Sequence, residues 1–214
     1  MPRRRKAPPT LAILVRHGRT ETTGKVLPGR APGLHLADAG QRQAEAVAER
    51  LARLKKVDAV YASPLERARE TAAAIARRLG LRVRTERGLT DCDYGDWTGS
   101  ELKALARLPE WEAIRHYPSR FRFPSGESFI EMQARLSGTM GRLLERHSGG
   151  TVVAVSHADP IKAVVAEAAG THLDHFQRIV ISPGSVTAIA FGAGPPSVLM
   201  VNSTGDIGEL LRAS

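Results

Sequence analysis

Two spacings of apolar residues alternate along the 214-residue chain. Leu11–Val15 is a continuous apolar run, the pattern of a strand buried on both faces, and Asp58–Ala62 and Thr151–Val155 are short runs of the same kind. Leu81–Thr85 reads as a third, more polar strand. Between the runs, Ala44, Val47, Ala48, Leu51 and Leu54 recur at helical spacing behind Asp38, a candidate cap. Ser63-Pro64, a hydroxyl cap followed by proline, predicts a helix over Leu65–Leu79. The loop Arg87–Ser100 has little periodicity. Helical patterns then cover roughly Glu101–Arg115 and Ser128–His147, separated by Pro118–Gly126, so a helical insertion is expected at about residues 100–148. A helix from Pro160 to about Ala169 follows, and Arg178–Ser182, Val186–Phe191 and Val198–Val201 read as late strands. Strands alternating with helices predict an α/β three-layer sandwich with a mostly parallel central sheet. The closely spaced last strands predict an antiparallel edge.

Composition narrows this picture. With 42% hydrophobic and 25% charged residues the chain is globular, and its length suits one domain, expected over Leu11–Ser214. The lone cysteine, Cys92, excludes a disulfide framework and a cysteine zinc site, and it fits a reducing, cytoplasmic setting. No apolar run approaches the ~18 residues of a membrane helix, so no membrane partner is expected. The net charge is +9, but Arg3, Arg4, Arg5 and Lys6 supply four of these charges within Met1–Thr10, which reads as a disordered basic tail. The apolar stretch behind that tail is shorter than the ~7–15 residues of a signal h-region, so secretion is not expected. The remaining excess favours anionic partners without choosing among them.

Chemistry gathers where strands end. The first strand ends in Arg16-His17-Gly18, the second runs through Ser63-Pro64 to Arg67, and the Thr151 strand ends in Ser156-His157. In open α/β sheets such positions share one crevice. Two histidines and two arginines there make a phosphate pocket, because guanidinium forks match phosphate oxygens and a neutral imidazole is nucleophilic. A carboxyl from the Asp91–Asp96 loop is the candidate proton donor.

Leu14–Glu21 resembles the signature of the histidine phosphatase superfamily, branch 1, the phosphoglycerate-mutase-like fold. The likeness continues in order through Gly29-Arg30, Ser63–Ala72, the Leu89–Gly99 loop, Pro124–Ser128 and Val155–Asp159. It implies that His17 is a nucleophile that becomes a phosphohistidine, and that Arg16, Arg67 and His157 bind the phosphoryl group. Asp91 falls at the family's acid position, where glutamate is usual, with Asp93 two residues away as the other candidate. Thr23, Gly29, Glu127 and Ala158 are expected at the substrate rim, and no metal is required. The implied activity is a metal-independent phosphomonoesterase acting on a small anionic phosphate ester. The alternative is a phosphomutase with the same residues, which would need 2,3-bisphosphoglycerate as cofactor. A non-catalytic phospho-ligand domain is disfavoured by the intact histidine pair, and a nucleic-acid partner by the absence of aromatics interleaved with the basic stretches. Arg69 reads as a solvated helix face, Trp97 and Trp111 as packing, and His172 with His175 as incidental rather than metal ligands. Oligomeric state carries no signal in the sequence.

Overall fold

The computed structural model describes residues 8–205; the Arg3–Lys6 run lies outside them. The chain runs through β1 (Thr10–Arg16), α1 (Asp38–Leu51), β2 (Ala59–Ala62), α2 (Glu66–Leu79), β3 (Val83–Thr85), α3 (Leu102–Leu105), α4 (Glu110–His116), α5 (Phe129–Arg146), β4 (Thr151–Ser156), α6 (Ala158–Ala168), β5 (Val186–Phe191) and β6 (Ser197–Ser203). One six-stranded sheet has the order β3-β2-β4-β1-β5-β6. The first four strands are mutually parallel, and β5 and β6 add the antiparallel edge.

The apolar runs are explained by burial on both faces. Along β1, Ala12 and Leu14 enter one core with Met132 and Leu136 of α5 and Ile161 of α6, while Ile13 and Val15 enter the other with Val47 of α1 and Ile75 of α2. Strand side chains alternate in direction, so a strand covered on both sides must be apolar throughout. Each such large side chain contributes roughly 1.5–3 kcal/mol of burial. Among the described residues, no helix is long and apolar enough to cross a membrane.

Several local expectations are corrected. Thr10 is not tail: it opens β1, is buried, and its Oγ1 accepts from the Gly149 N–H. Asp38 lies inside the first turn of α1, whose cap position is Ala37. Ser63 does not cap α2, which starts three residues later behind Leu65. The stretch Glu101–Arg115 breaks into α3 and α4 around Pro109, which has no N–H to continue a helix. Arg178–Ser182 is not a strand: Leu173–Arg178 is a 3-10 turn, and the Ser182 N–H is taken by the Asn202 side chain at 2.6 Å. By contrast, α5 starts on a full capping box between Ser128 and Glu131.

One close approach positions the loop after β1. Ala37 N–H donates to the Arg19 carbonyl, and a methyl group on Gly18 or Gly40 would collide with the backbone of the facing segment. Thr71 of α2 secures the same loop, accepting from the Gly18 N–H at 3.1 Å while donating to the Arg67 carbonyl at 2.8 Å.

Candidate active site

Strand register brings the two histidines together. Arg16 pairs with Ser156 across β1 and β4, and Ala62 pairs with Val155 across β2 and β4, so all three strands end at one level. Backbone bonds extend the ladder one step further, from His17 N–H to the Ser156 carbonyl and from Ser63 N–H to the Val155 carbonyl, both at 3.0 Å. The His17 and His157 rings thus lie 5.0 Å apart, centre to centre.

Their neighbours fix their protons. Gly18 O can only accept, so His17 Nδ1 carries the hydrogen and donates to it at 2.7 Å. His17 Nε2 is therefore the lone-pair nitrogen, and it receives a long 3.3 Å contact from Arg67 Nε–H. Burial, then the charges of Arg67 and Arg16, lower the His17 pKa to about 3, so the ring is neutral at ordinary pH. Ser63 Oγ already accepts from the Leu65 N–H and can give its proton to His157 Nε2 at 2.8 Å. In that tautomer His157 Nδ1–H is a buried donor. Burial, again first, holds the His157 pKa well below the usual histidine range.

Three buried donors at this point lack a protein partner: Arg16 Nε, Arg67 Nη1 and His157 Nδ1. Arg16 is anchored by donating from Nη1 to the Ile181 carbonyl at 2.6 Å. Arg67, fully buried, donates from Nη2 to the Gly29 carbonyl at 2.7 Å and to Asp91 Oδ2 at 3.3 Å. Buried donors are nearly always satisfied, so orphans clustered around a neutral imidazole outline the seat of an anion.

Asp91 closes the group. Its Oδ2 lies 3.6 Å from His157 Nδ1, and its Oδ1 accepts from the Cys92 N–H. Burial pushes its pKa up to about 6, against the opposing charge of Arg67. Asp93 points away and pairs with Arg30 at 3.2 Å, so geometry separates the two candidate carboxyls. Behind the loop, the Asp91 carbonyl receives Arg30 Nε and Arg135 Nη2, and Glu127 bridges these two arginines at 3.0 and 2.8 Å. Gly95 makes the turn possible: its φ is +51°, and a side chain there would strike the Pro124 carbonyl.

A cavity of about 630 Å³ opens from this cluster, with Arg16, His17, Asp91 and His157 in its wall. Thr23 and Ala158 line it as expected. Gly29 and Glu127 do not: Gly29 supplies a carbonyl to Arg67, and Glu127 sits behind the acid loop. Arg67 also stands one layer back, touching the cavity through His17 and Asp91.

A model of the histidine phosphatase superfamily (branch 1) matches residues 12–204. The chain belongs to that family. A bifunctional protein of Mycobacterium tuberculosis is 36% identical over 201 residues, 92% of this chain and 55% of the relative, so the chain spans about half the length of such relatives. Phosphoserine phosphatase 1 of Hydrogenobacter thermophilus is 31% identical over 202 residues, 92% of this chain and 94% of the relative. Among solved structures, Bacillus stearothermophilus YhfR superposes with a TM-score of 0.84 at 25% identity, covering 94% of this chain and 99% of that one.

Other site residues of this superfamily member have no role legible in the sequence. Arg135 sits on α5 like any solvated helix arginine, yet it donates to the Gly88, Thr90 and Asp91 carbonyls. Tyr94, Asp159, Lys162 and Gln177 form a chain along one cavity wall, with Asp159 accepting from Tyr94 and Lys162, both at 3.0 Å. His172 accepts from the Asp174 N–H within its own turn. Arg69 is exposed, and Trp97 and Trp111 stack on each other at 6.3 Å. Burial pushes the Cys92 thiol up and out of reactive range.

Proposed function

We propose that this histidine phosphatase is a phosphomonoesterase that works through a phosphohistidine on His17. The observation that carries the reading is the neutral His17 Nε2 beside three buried, unpartnered donors. His17 Nε2 attacks phosphorus as the ester P–O bond breaks, and Arg16, Arg67 and His157 hold the phosphoryl oxygens. Asp91, protonated below about pH 6, gives its proton to the leaving alkoxide. Its carboxylate then takes a proton from water, which attacks the phosphohistidine and releases inorganic phosphate. Two guanidinium groups supply the positive charge, so the reaction as proposed requires no metal and no cofactor. The relative named a phosphoserine phosphatase supports hydrolysis over transfer. Cys92 as the lone thiol supports a cytoplasmic setting.

The test is phosphate release from an aryl phosphate by wild type and by His17→Ala, with and without 2,3-bisphosphoglycerate. Release by wild type alone, independent of the bisphosphate and of chelators, is expected. Activity of the alanine variant near wild type would sink the mechanism. Isomerisation of phosphoglycerate that depends on the bisphosphate would turn the assignment to a mutase.

A further inference from the structure

The cavity is much larger than the phosphoryl seat, and its two outer walls differ in kind. One wall is a roof made from the loop after β1 and from the insertion. Val26, Leu27, Leu102, Trp111 and Ile114 all line the cavity. The roof is joined through the main chain: Leu27 N–H donates to the Ser100 carbonyl, Gly99 N–H to the Leu27 carbonyl, and Leu102 N–H to the Lys25 carbonyl, at 2.8–2.9 Å. Beneath it, Trp97 contacts Trp111, Phe121 and Phe123, and Phe123 contacts Phe129. The apolar surface is therefore backed by packed rings and held by backbone bonds.

A second set of lining residues is polar but closed upon itself. Tyr94 Oη–H and Lys162 Nζ both donate to Asp159, and Lys162 also donates to Gln177 at 2.8 Å. Arg115, another lining residue, pairs with Glu112. The buried unpartnered donors of the cavity wall, Arg16 Nε and His157 Nδ1, are at the phosphoryl end. Arg178, exposed, also lines the cavity. A small polar alcohol such as serine or glycerate could reach that cation, but it would leave the apolar roof facing water.

Volume points the same way. A cavity of about 630 Å³ holds about twenty groups of water size at ~30 Å³ each. A three-carbon phosphate ester has only about half as many non-hydrogen atoms. Resting on the hydrolase reading above, we infer that the site selects phosphate monoesters whose alcohol carries an apolar, ring-sized body that packs under Trp111, Ile114 and Leu102. Burying such a body is worth about 10–100-fold in binding or kcat/KM.

The experiment compares 2-phenylethyl phosphate with ethyl phosphate and phosphoserine, esters whose alkoxide leaving groups differ little in chemistry. The phenylethyl ester is expected to lead by about 10–100-fold in kcat/KM, mostly through KM, and Trp111→Ala or Ile114→Ala is expected to shrink that ratio. The Ile114 variant guards against misfolding of the Trp111 one, which also loses its stacking on Trp97. A parallel calorimetric arm measures 3-phenylpropylphosphonate against propylphosphonate, which cannot be hydrolysed. Equal constants for small and large ligands, or a ratio untouched by both variants, overturn the inference. Failure of the hydrolase reading looks different: no ester releases phosphate, while the phosphonate ratio still reports on the cavity.

Discussion

Asp91 stands between two pairs of arginines that differ in one respect. Arg30 and Arg135, behind it, spend their Nε, Nη1 and Nη2 on carbonyls of the acid loop and on Asp93 and Glu127. Arg16 and Arg67, in front, each keep one buried donor with no protein partner. The residue type is the same, and the charge is the same. What separates the two pairs is whether the protein completes their hydrogen bonds. A guanidinium left incomplete in a buried place costs stability, which an anion restores on binding.

The contrast is broken most sharply at the front. Arg16→Ala is expected to lower kcat by about 10²–10³-fold, the usual loss for one donor to a developing oxyanion, with the far-ultraviolet dichroism unchanged. Inhibition by inorganic phosphate should weaken with it. A variant within threefold of wild type would remove Arg16 from the phosphoryl seat.

Next in size is the pH behaviour set between the pairs. Because Asp91 is protonated below about pH 6 and His17 is neutral above about pH 3, kcat for an alkyl ester should be flat between these limits and fall above pH 6. Asp91→Asn should cost about 10²–10⁴-fold on alkyl esters and far less on aryl esters, whose leaving groups need little protonation. Equal losses on both would place the acid elsewhere. Stability follows with a defined sign. A carboxyl whose folded pKa is raised favours the fold most below its unfolded pKa of about 3.9, and that contribution disappears as pH rises through about 6. The melting temperature of Asp91→Asn should therefore gain on wild type across that window and run parallel above it.

At the back, loss should appear as instability first. Glu127→Gln removes the charge that bridges Arg30 and Arg135, at a cost of about 1–3 kcal/mol, discounted because the Arg30 side chain is 35% exposed. Turnover of an aryl ester should fall less than tenfold. A hundredfold loss at unchanged melting temperature would move Glu127 into the chemistry. The smallest effect belongs to Ser128→Ala, which breaks the capping box of α5 for about 1 kcal/mol, or a 2–4 °C drop in Tm, and should leave kcat unaltered.

The same contrast marks what a reader of the sequence could find. Arg16, His17, Ser63, Arg67 and His157 stand at or just after strand ends, and short apolar runs announce strand ends clearly. The sheet order β3-β2-β4-β1 then makes neighbours of residues about 140 positions apart. The back pair was invisible because its partners are main-chain carbonyls, which have no letter in the sequence. Arg135 obeys the polar period of α5, and Arg30 lies in a turn-rich stretch where a solvated arginine is the ordinary expectation. Ser63 reads as a helix cap for a related reason. Ser-Pro before a helix has the composition of a cap, but the hydroxyl is engaged by His157, a residue 94 positions away. The failed strand at Arg178–Ser182 has the right apolar content, yet its backbone is drawn to Asn202 rather than to a neighbouring strand.

The Gly18 carbonyl, which holds the His17 Nδ1 hydrogen, carries a consequence for regiochemistry. A ring tied at that nitrogen can form its phosphoramidate only on the far one, so the covalent species of the proposed reaction is a single isomer, tele-phosphohistidine. Such P–N bonds are acid-labile and survive in alkali. The intermediate should vanish from an acid quench yet give one phosphorus resonance when the enzyme is trapped at high pH.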